Sequence, residues 1–216
     1  MNEGCNYGRT KILNNSNITC GVNKDDIMII DKARTALVMI DLQKGIVSSP
    51  TLPHAADTVI AHAAQLARAF RRKNMPVFLV RVAPSHDGRD RLEPIADKKM
   101  QIGISRSPDW SEIVPELGPE EGDFIITKRQ WGAFYGTELD LQLRRRNIDS
   151  IVLCGISTNV GVESTARFAY EYGYQQIFAE DACSARSVED HEHPMKTVFP
   201  RMGRVRTCKE IIESLE

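Results

Sequence analysis

A chain of 216 residues with 42% apolar side chains is long enough to bury one sizeable α/β core. Its 28 Lys and Arg against 29 Asp and Glu leave a formal charge of -1, which gives no electrostatic reason for a nucleic-acid or anionic-membrane partner and leaves a small molecule as the expected substrate. No apolar run reaches the roughly 18 residues of a membrane helix and no signal-peptide core is present, so a cytoplasmic protein is expected.

Residues 1–33 are polar and rich in Asn, and are read as an arm before a single domain over residues 34–216. Thr35 to Asp41 is an unbroken apolar run closed by an acid, as expected of a central parallel strand whose carboxyl end reaches a crevice. Asp41 then sits at the mouth, and Leu42, Gln43 and Lys44 open a loop. Val59, Ala63, Leu66, Ala67 and Phe70 recur at helical spacing within Ala55 to Arg72, and Asn74 and Pro76 stop that helix. Pro76 to Val82 is the next strand, with Arg81 directed to the same crevice. Residues 83–118 form a long loop with one short helix near Trp110 to Val114, a length often used for a lid or a binding segment. Asp123 to Thr127 gives a third strand, and Lys128 stands at its end, so an acid and a base share one mouth. The loop Arg129 to Gly136 carries Trp131, Phe134 and Tyr135, which supply either flat walls for a ligand or plugs for the core or a subunit contact. Thr137 with Asp140 is expected to cap a helix running to Arg146.

Ile151 to Tyr174 carries the strongest functional signal. Ile151 to Cys154 is a short buried strand, glycine and polar residues follow, and Val162, Thr165, Ala166, Ala169 and Gly173 at spacings of three and four mark a helix. Such a junction points the N–H groups of the first helical turn into the crevice, making a pocket for developing negative charge. Gln175 to Glu180 is a fifth strand, Asp181 to Ser187 a loop, Val188 to Phe199 a helix, Val205 a last short strand, and Cys208 to Leu215 a final helix. The alternation implies an α/β fold with a mostly parallel sheet of about six strands, right-handed crossovers and helices on both faces.

Asp41 in DLQ, Lys128 in TKRQWGAFYGTELD, and GISTNVGVESTARFA are three separated motifs, each at a predicted strand end. Together they resemble the isochorismatase-like hydrolases, also called the cysteine hydrolase superfamily, over roughly residues 34–216. The resemblance implies a Rossmann-like three-layer α/β/α fold, a homo-oligomer of two or more chains, and a cis peptide between Ile156 and Ser157 that aims the N–H groups of Ser157 and Gly161 at one point. In the family's amidohydrolases an Asp, a Lys and a Cys form a triad, with the Cys closing a G-x-x-T-[DN]-x-C pattern. Matching from Gly155 through Val160 puts Gly161 at the position of the thiol. Glycine offers no nucleophile, so the covalent two-step route is lost. The family's isochorismatases also carry glycine there and hydrolyse a vinyl ether by protonating a carbon before water attacks, for which an acid suffices.

On that resemblance Asp41 is the proton donor and Lys128 orients a carboxylate or hydroxyl of the substrate, with Gln43, Arg81, Trp131, Tyr135, Thr158 and Asn159 as the binding set. Burial raises the pKa of Asp41 and Lys128 lowers it, and the balance stays open at the level of sequence. True isochorismatases have Tyr-Ala-His where this chain has Ser157, Thr158 and Asn159, so the substrate stays open too. Two other readings stand beside this one: a binding protein that keeps the pocket without turnover, and an amidase using water or Cys183. Cys5, Cys20, Cys154, Cys183 and Cys208 are scattered without a CxxC pair and read as reduced thiols, Cys154 as a small core residue. Nicotinamidases of the family bind zinc through an Asp-x-His pair and a further His. Here, among His54, His62, His86, His191 and His193, only the last two are closely spaced, in an acidic helix read as a solvated face, so neither a metal nor another cofactor is expected.

Overall fold

The apolar runs become the strands of a single sheet. In a computed structural model, which describes residues 29–97 and 107–215, the elements are β1 (Thr35–Ile40), α1 (Lys44–Val47), α2 (Ala56–Arg72), β2 (Val77–Val82), β3 (Phe124–Lys128), α3 (Leu139–Arg145), β4 (Ser150–Ile156), α4 (Glu163–Glu171), β5 (Gln175–Ser184), α5 (Val188–His193), β6 (Arg204–Arg206) and α6 (Cys208–Glu213). All strand pairs are parallel, in the order β3-β2-β1-β4-β5-β6. The chain steps outward from β1 to β2 and in the opposite direction from β4 to β5, so right-handed crossovers put α2 and α4 on opposite faces. α6 packs beside α2. The expected arm falls mostly outside the described residues. No helix among those described is long and apolar enough to cross a membrane.

β1 is buried at every residue, as a central strand covered on both faces must be, and its apolar run needs no alternation. Its neighbour β4 comes so close at Gly155 that a Cβ there would lie 2.0 Å from the Ile40 carbonyl oxygen, and the glycine adopts φ +133, open to few other residues. The strand order reverses between β1 and β4, the switch point at which open α/β sheets bind ligands beyond their carboxyl ends. Asp41 and the turn at residues 157–161 lie on either side of it.

Four sequence expectations are corrected. No helix forms at Trp110 to Val114: Ile113 makes an antiparallel bridge to Gln43, and a 3₁₀ turn follows at Pro115–Leu117. The indole of Trp110 covers Gly45, where a Cβ would meet it at 2.0 Å, so packing outweighs the local helical pattern. Gly173 does not extend α4 but follows its end at φ +80. β5 continues through the expected loop to Ser184, because it bulges: two residues from Leu153 to Gly155 on β4 are matched by five from Phe178 to Cys183. Val188 to Phe199 is not one helix, since Pro194 lacks an N–H and a wide π turn, Pro194–Val198, interrupts it.

Candidate active site

Asp41 follows β1 with φ 55, an uncommon conformation for a residue with a side chain, and it turns the carboxyl into the crevice mouth. Only 6% of Asp41 and 2% of Lys128 is exposed. Lys128 Nζ donates to Asp41 Oδ2 at 2.7 Å, to the Trp131 carbonyl at 2.6 Å and to the Gln130 carbonyl at 3.1 Å. Those three bonds use every donor an ammonium group has and tie Lys128 to Asp41 and to the 130–131 backbone. Burial pushes the Asp41 carboxyl above its ordinary pKa, and the attraction of Lys128 offsets only part of that. Asp41 Oδ1, also buried, has no hydrogen-bond partner.

The third member of the group is Gly161. A Cβ built there would lie 2.8 Å from Asp41 Oδ2, 3.0 Å from Ile40 Cγ2 and 3.6 Å from Lys128 Nζ. Position 161 therefore faces the carboxyl of Asp41 and the ammonium of Lys128 directly. The backbone enters this turn through a cis peptide between Ile156 and Ser157, then forms a π turn over Thr158–Val162 that runs into α4. The Ser157 carbonyl accepts from Val160 and Val162, while the Ser157 hydroxyl is buried without a partner.

The remaining predicted binding residues divide in two. Gln43 is completely buried, and its amide is consumed by backbone: Oε1 accepts the Val82 N–H at 2.8 Å, while Nε2 donates to the carbonyls of Val82 and Trp110. It ties the loop after Asp41 to β2 and to the 109–114 segment, where Lys44 also pairs with Asp109 and Glu112. Thr158 is buried against His191, its hydroxyl 2.9 Å from Nδ1, and Asn159 donates to Asp190 at 2.8 Å. All three side chains are therefore hydrogen-bonded within the protein, Gln43 and Thr158 buried and Asn159 half-buried. Arg81 is half-buried and donates to Thr127 on β3. Trp131 and Tyr135 are exposed at the surface, whereas Phe134 is core, packed on Tyr172 and Tyr174.

Two other expectations change. His191 is not on a solvated face: it is 2% exposed, between Thr158 and Glu180. The 3.6-residue pattern held no sign of it, because the contacts that bury it come from a distant strand. Cys183 lies inside β5, fully buried, and burial pushes its thiol well above the ordinary value, which disfavours the thiolate a nucleophile needs. Cys154 is likewise core, pushed up to about 12.

Residues 35–210 match the isochorismatase domain. The chain is 53% identical over 188 residues to the isochorismatase family protein YwoC of Bacillus subtilis (strain 168), covering 87% of this chain and 97% of that one. Among solved structures, an isochorismatase family protein from Burkholderia thailandensis superposes with a TM-score of 0.83 at 42% identity, covering 88% of this chain and 98% of that chain. A cysteine hydrolase from Pseudomonas syringae pv. phaseolicola 1448A superposes with a TM-score of 0.74 at 26% identity, over 87% and 95% of the two chains.

Proposed function

Because the chain belongs to the isochorismatase family of hydrolases, we propose that it cleaves a C–O bond in a small enol ether by general acid catalysis, with Asp41 as the proton donor and no covalent intermediate. The observation that carries this reading is the convergence of Asp41 and Lys128 on Gly161, a residue without a nucleophile. The domain that does this spans residues 34–216, with residues 1–33 as an arm.

A general acid must keep its proton near neutral pH, and the raised pKa of Asp41 serves that need. Oδ2 accepts from Lys128, so in this reading Oδ1, buried and without a hydrogen-bond partner, carries the proton. Oδ1–H protonates the terminal vinyl carbon, leaving an oxocarbenium ion and an Asp41 carboxylate that Lys128 stabilises at 2.7 Å. Water adds to the cation, a proton is lost, and the hemiketal collapses to an alcohol and a ketone. The Ser157 hydroxyl, with the N–H groups of Ser157 and Gly161, orients the oxygen-bearing end of the substrate; Arg81, Trp131 and Tyr135 border the entrance. A homo-oligomer in the cytoplasm is part of this reading, since the exposed Trp131 and Phe168 offer apolar surface that association would bury.

The test is hydrolysis of isochorismate and simpler enol ethers by the wild type and by Asp41→Asn. The variant should lose about 10²- to 10⁴-fold in rate. Equal rates for the two proteins would remove Asp41 from the mechanism, and a ligand recovered intact without turnover would replace catalysis by binding.

A further inference from the structure

His54, Glu180 and His191 come from the loop before α2, the bulge of β5 and helix α5, yet their ligand atoms meet at one point. His54 Nε2 lies 3.1 Å and His191 Nε2 3.2 Å from the same Glu180 oxygen, Oε1, and all three atoms are within 4.8 Å of one another. Ligands on a tetrahedral zinc ion, with bonds of about 2.0 Å, stand about 3.3 Å apart. We propose that His54, Glu180 and His191 form a binding site for a zinc-class divalent cation, with solvent in the fourth position.

The surroundings are those of a prepared site. The His191 ring is set by Thr158, whose hydroxyl lies 2.9 Å from Nδ1 and can accept from that nitrogen once Nε2 binds a metal. His54 is held through its carbonyl, which accepts from Thr51 and Ser184, each at 2.7 Å. His191 is buried while His54 and Glu180 are partly exposed, and a surface cavity of about 230 Å³ lined by Glu180, Arg206, Thr207 and Glu210 adjoins the cluster. This is not an Asp-x-His arrangement, and it does not depend on the reaction assigned to Asp41. Through Thr158 the cation would brace the turn that carries Gly161. The neighbouring His62, Asp181 and Cys208 are a weaker set: His62 Nδ1 already donates to the Asp181 carbonyl at 2.7 Å, and burial keeps the Cys208 thiol protonated.

The test uses the full-length protein, stripped with a chelator and dialysed against Zn²⁺, with bound metal measured by elemental analysis, affinity by competition with a chromophoric chelator, and thermal melting as a second readout. One Zn²⁺ per chain and a raised melting temperature are expected. His54→Gln and Glu180→Gln, both at partly exposed positions, should each weaken binding more than about a hundredfold, Thr158→Val about tenfold, and His62→Gln not at all. Co²⁺ substitution should give the visible absorption of a tetrahedral centre in the wild type and not in His54→Gln. Zn²⁺ uptake that survives both His54→Gln and Glu180→Gln, uptake lost with His62→Gln instead, or no uptake by the folded wild type would overturn the proposal.

Discussion

Adding one methyl group at position 161 tests the geometry of the crevice. In Gly161→Ala the new Cβ would stand 2.8 Å from Asp41 Oδ2 where ordinary contact begins at 3.4 Å, so the carboxyl must withdraw by about 0.6 Å. Lys128 cannot follow freely, being held by the carbonyls of Gln130 and Trp131, and its 2.7 Å bond to Asp41 is stretched past the normal limit. The loss of a buried charge-assisted bond costs about 1.5 to 3 kcal/mol, and the better helix propensity of alanine returns up to about 1 kcal/mol. The net destabilisation, about 0.5 to 3 kcal/mol, should lower Tm by roughly 1 to 12 °C in a chain of this length. Misplacing a catalytic group by a fraction of an ångström should cost on the order of 10- to 100-fold in kcat. Initial rates on an enol ether that the wild type hydrolyses, read beside a thermal melt, separate the two effects. A kcat within twofold of wild type at an unchanged Tm would show that the approach of residue 161 to Asp41 has no catalytic consequence.

Four other outcomes are expected. Because the acid must be protonated and its pKa is raised, kcat/KM should fall as pH rises through the Asp41 pKa, and this limb should vanish from any residual activity of Asp41→Asn. Glu180 has a folded pKa lowered to about 2 from 4.5, so the stability it contributes is present above pH 4.5 and lost as pH falls toward 2; acid melts of Glu180→Gln should show less of that loss. Gly45→Ala drives a Cβ into the Trp110 indole and should destabilise by about 1 to 3 kcal/mol, seen in chemical denaturation, with the 109–114 segment becoming more open to protease. Cys154, Cys183 and Cys208 should resist alkylation until the protein unfolds, as mapped by mass spectrometry; rapid labelling of Cys183 in the native protein would reopen a thiol mechanism.

The parts of the site that could be read from sequence are those whose position follows from strand ends. Asp41, Lys128 and the turn after β4 each close an apolar run, and a parallel sheet brings the carboxyl ends of its strands to one edge whatever the helices do. The parallel sheet and the helices on both its faces follow from the same alternation, whereas the strand order is set by the structure. What was not legible depends on contacts between distant segments. Gln43, two residues after Asp41, looks like a ligand group until its amide is seen spent on the backbone of Val82 and Trp110. Thr158 and Asn159 belong to the same motif as Gly161 yet turn to α5, because a π turn rotates them away. The bulge in β5 lies in a polar stretch that reads as loop, and it is this bulge that carries Glu180 to His54 and His191. His191 shows the limit most sharply, since a histidine in an acidic helix looks solvated unless the groups packed against it are known.

The most direct test of Asp41 as the proton donor is hydrolysis of an enol ether in D₂O, with the ketone product examined by NMR and mass spectrometry. Asp41 delivering a solvent-derived proton to the vinyl carbon predicts one deuterium in the new methyl group of each product molecule, at a rate that collapses in Asp41→Asn. Product formed without deuterium at that carbon, or formed by Asp41→Asn as fast as by the wild type, would contradict it.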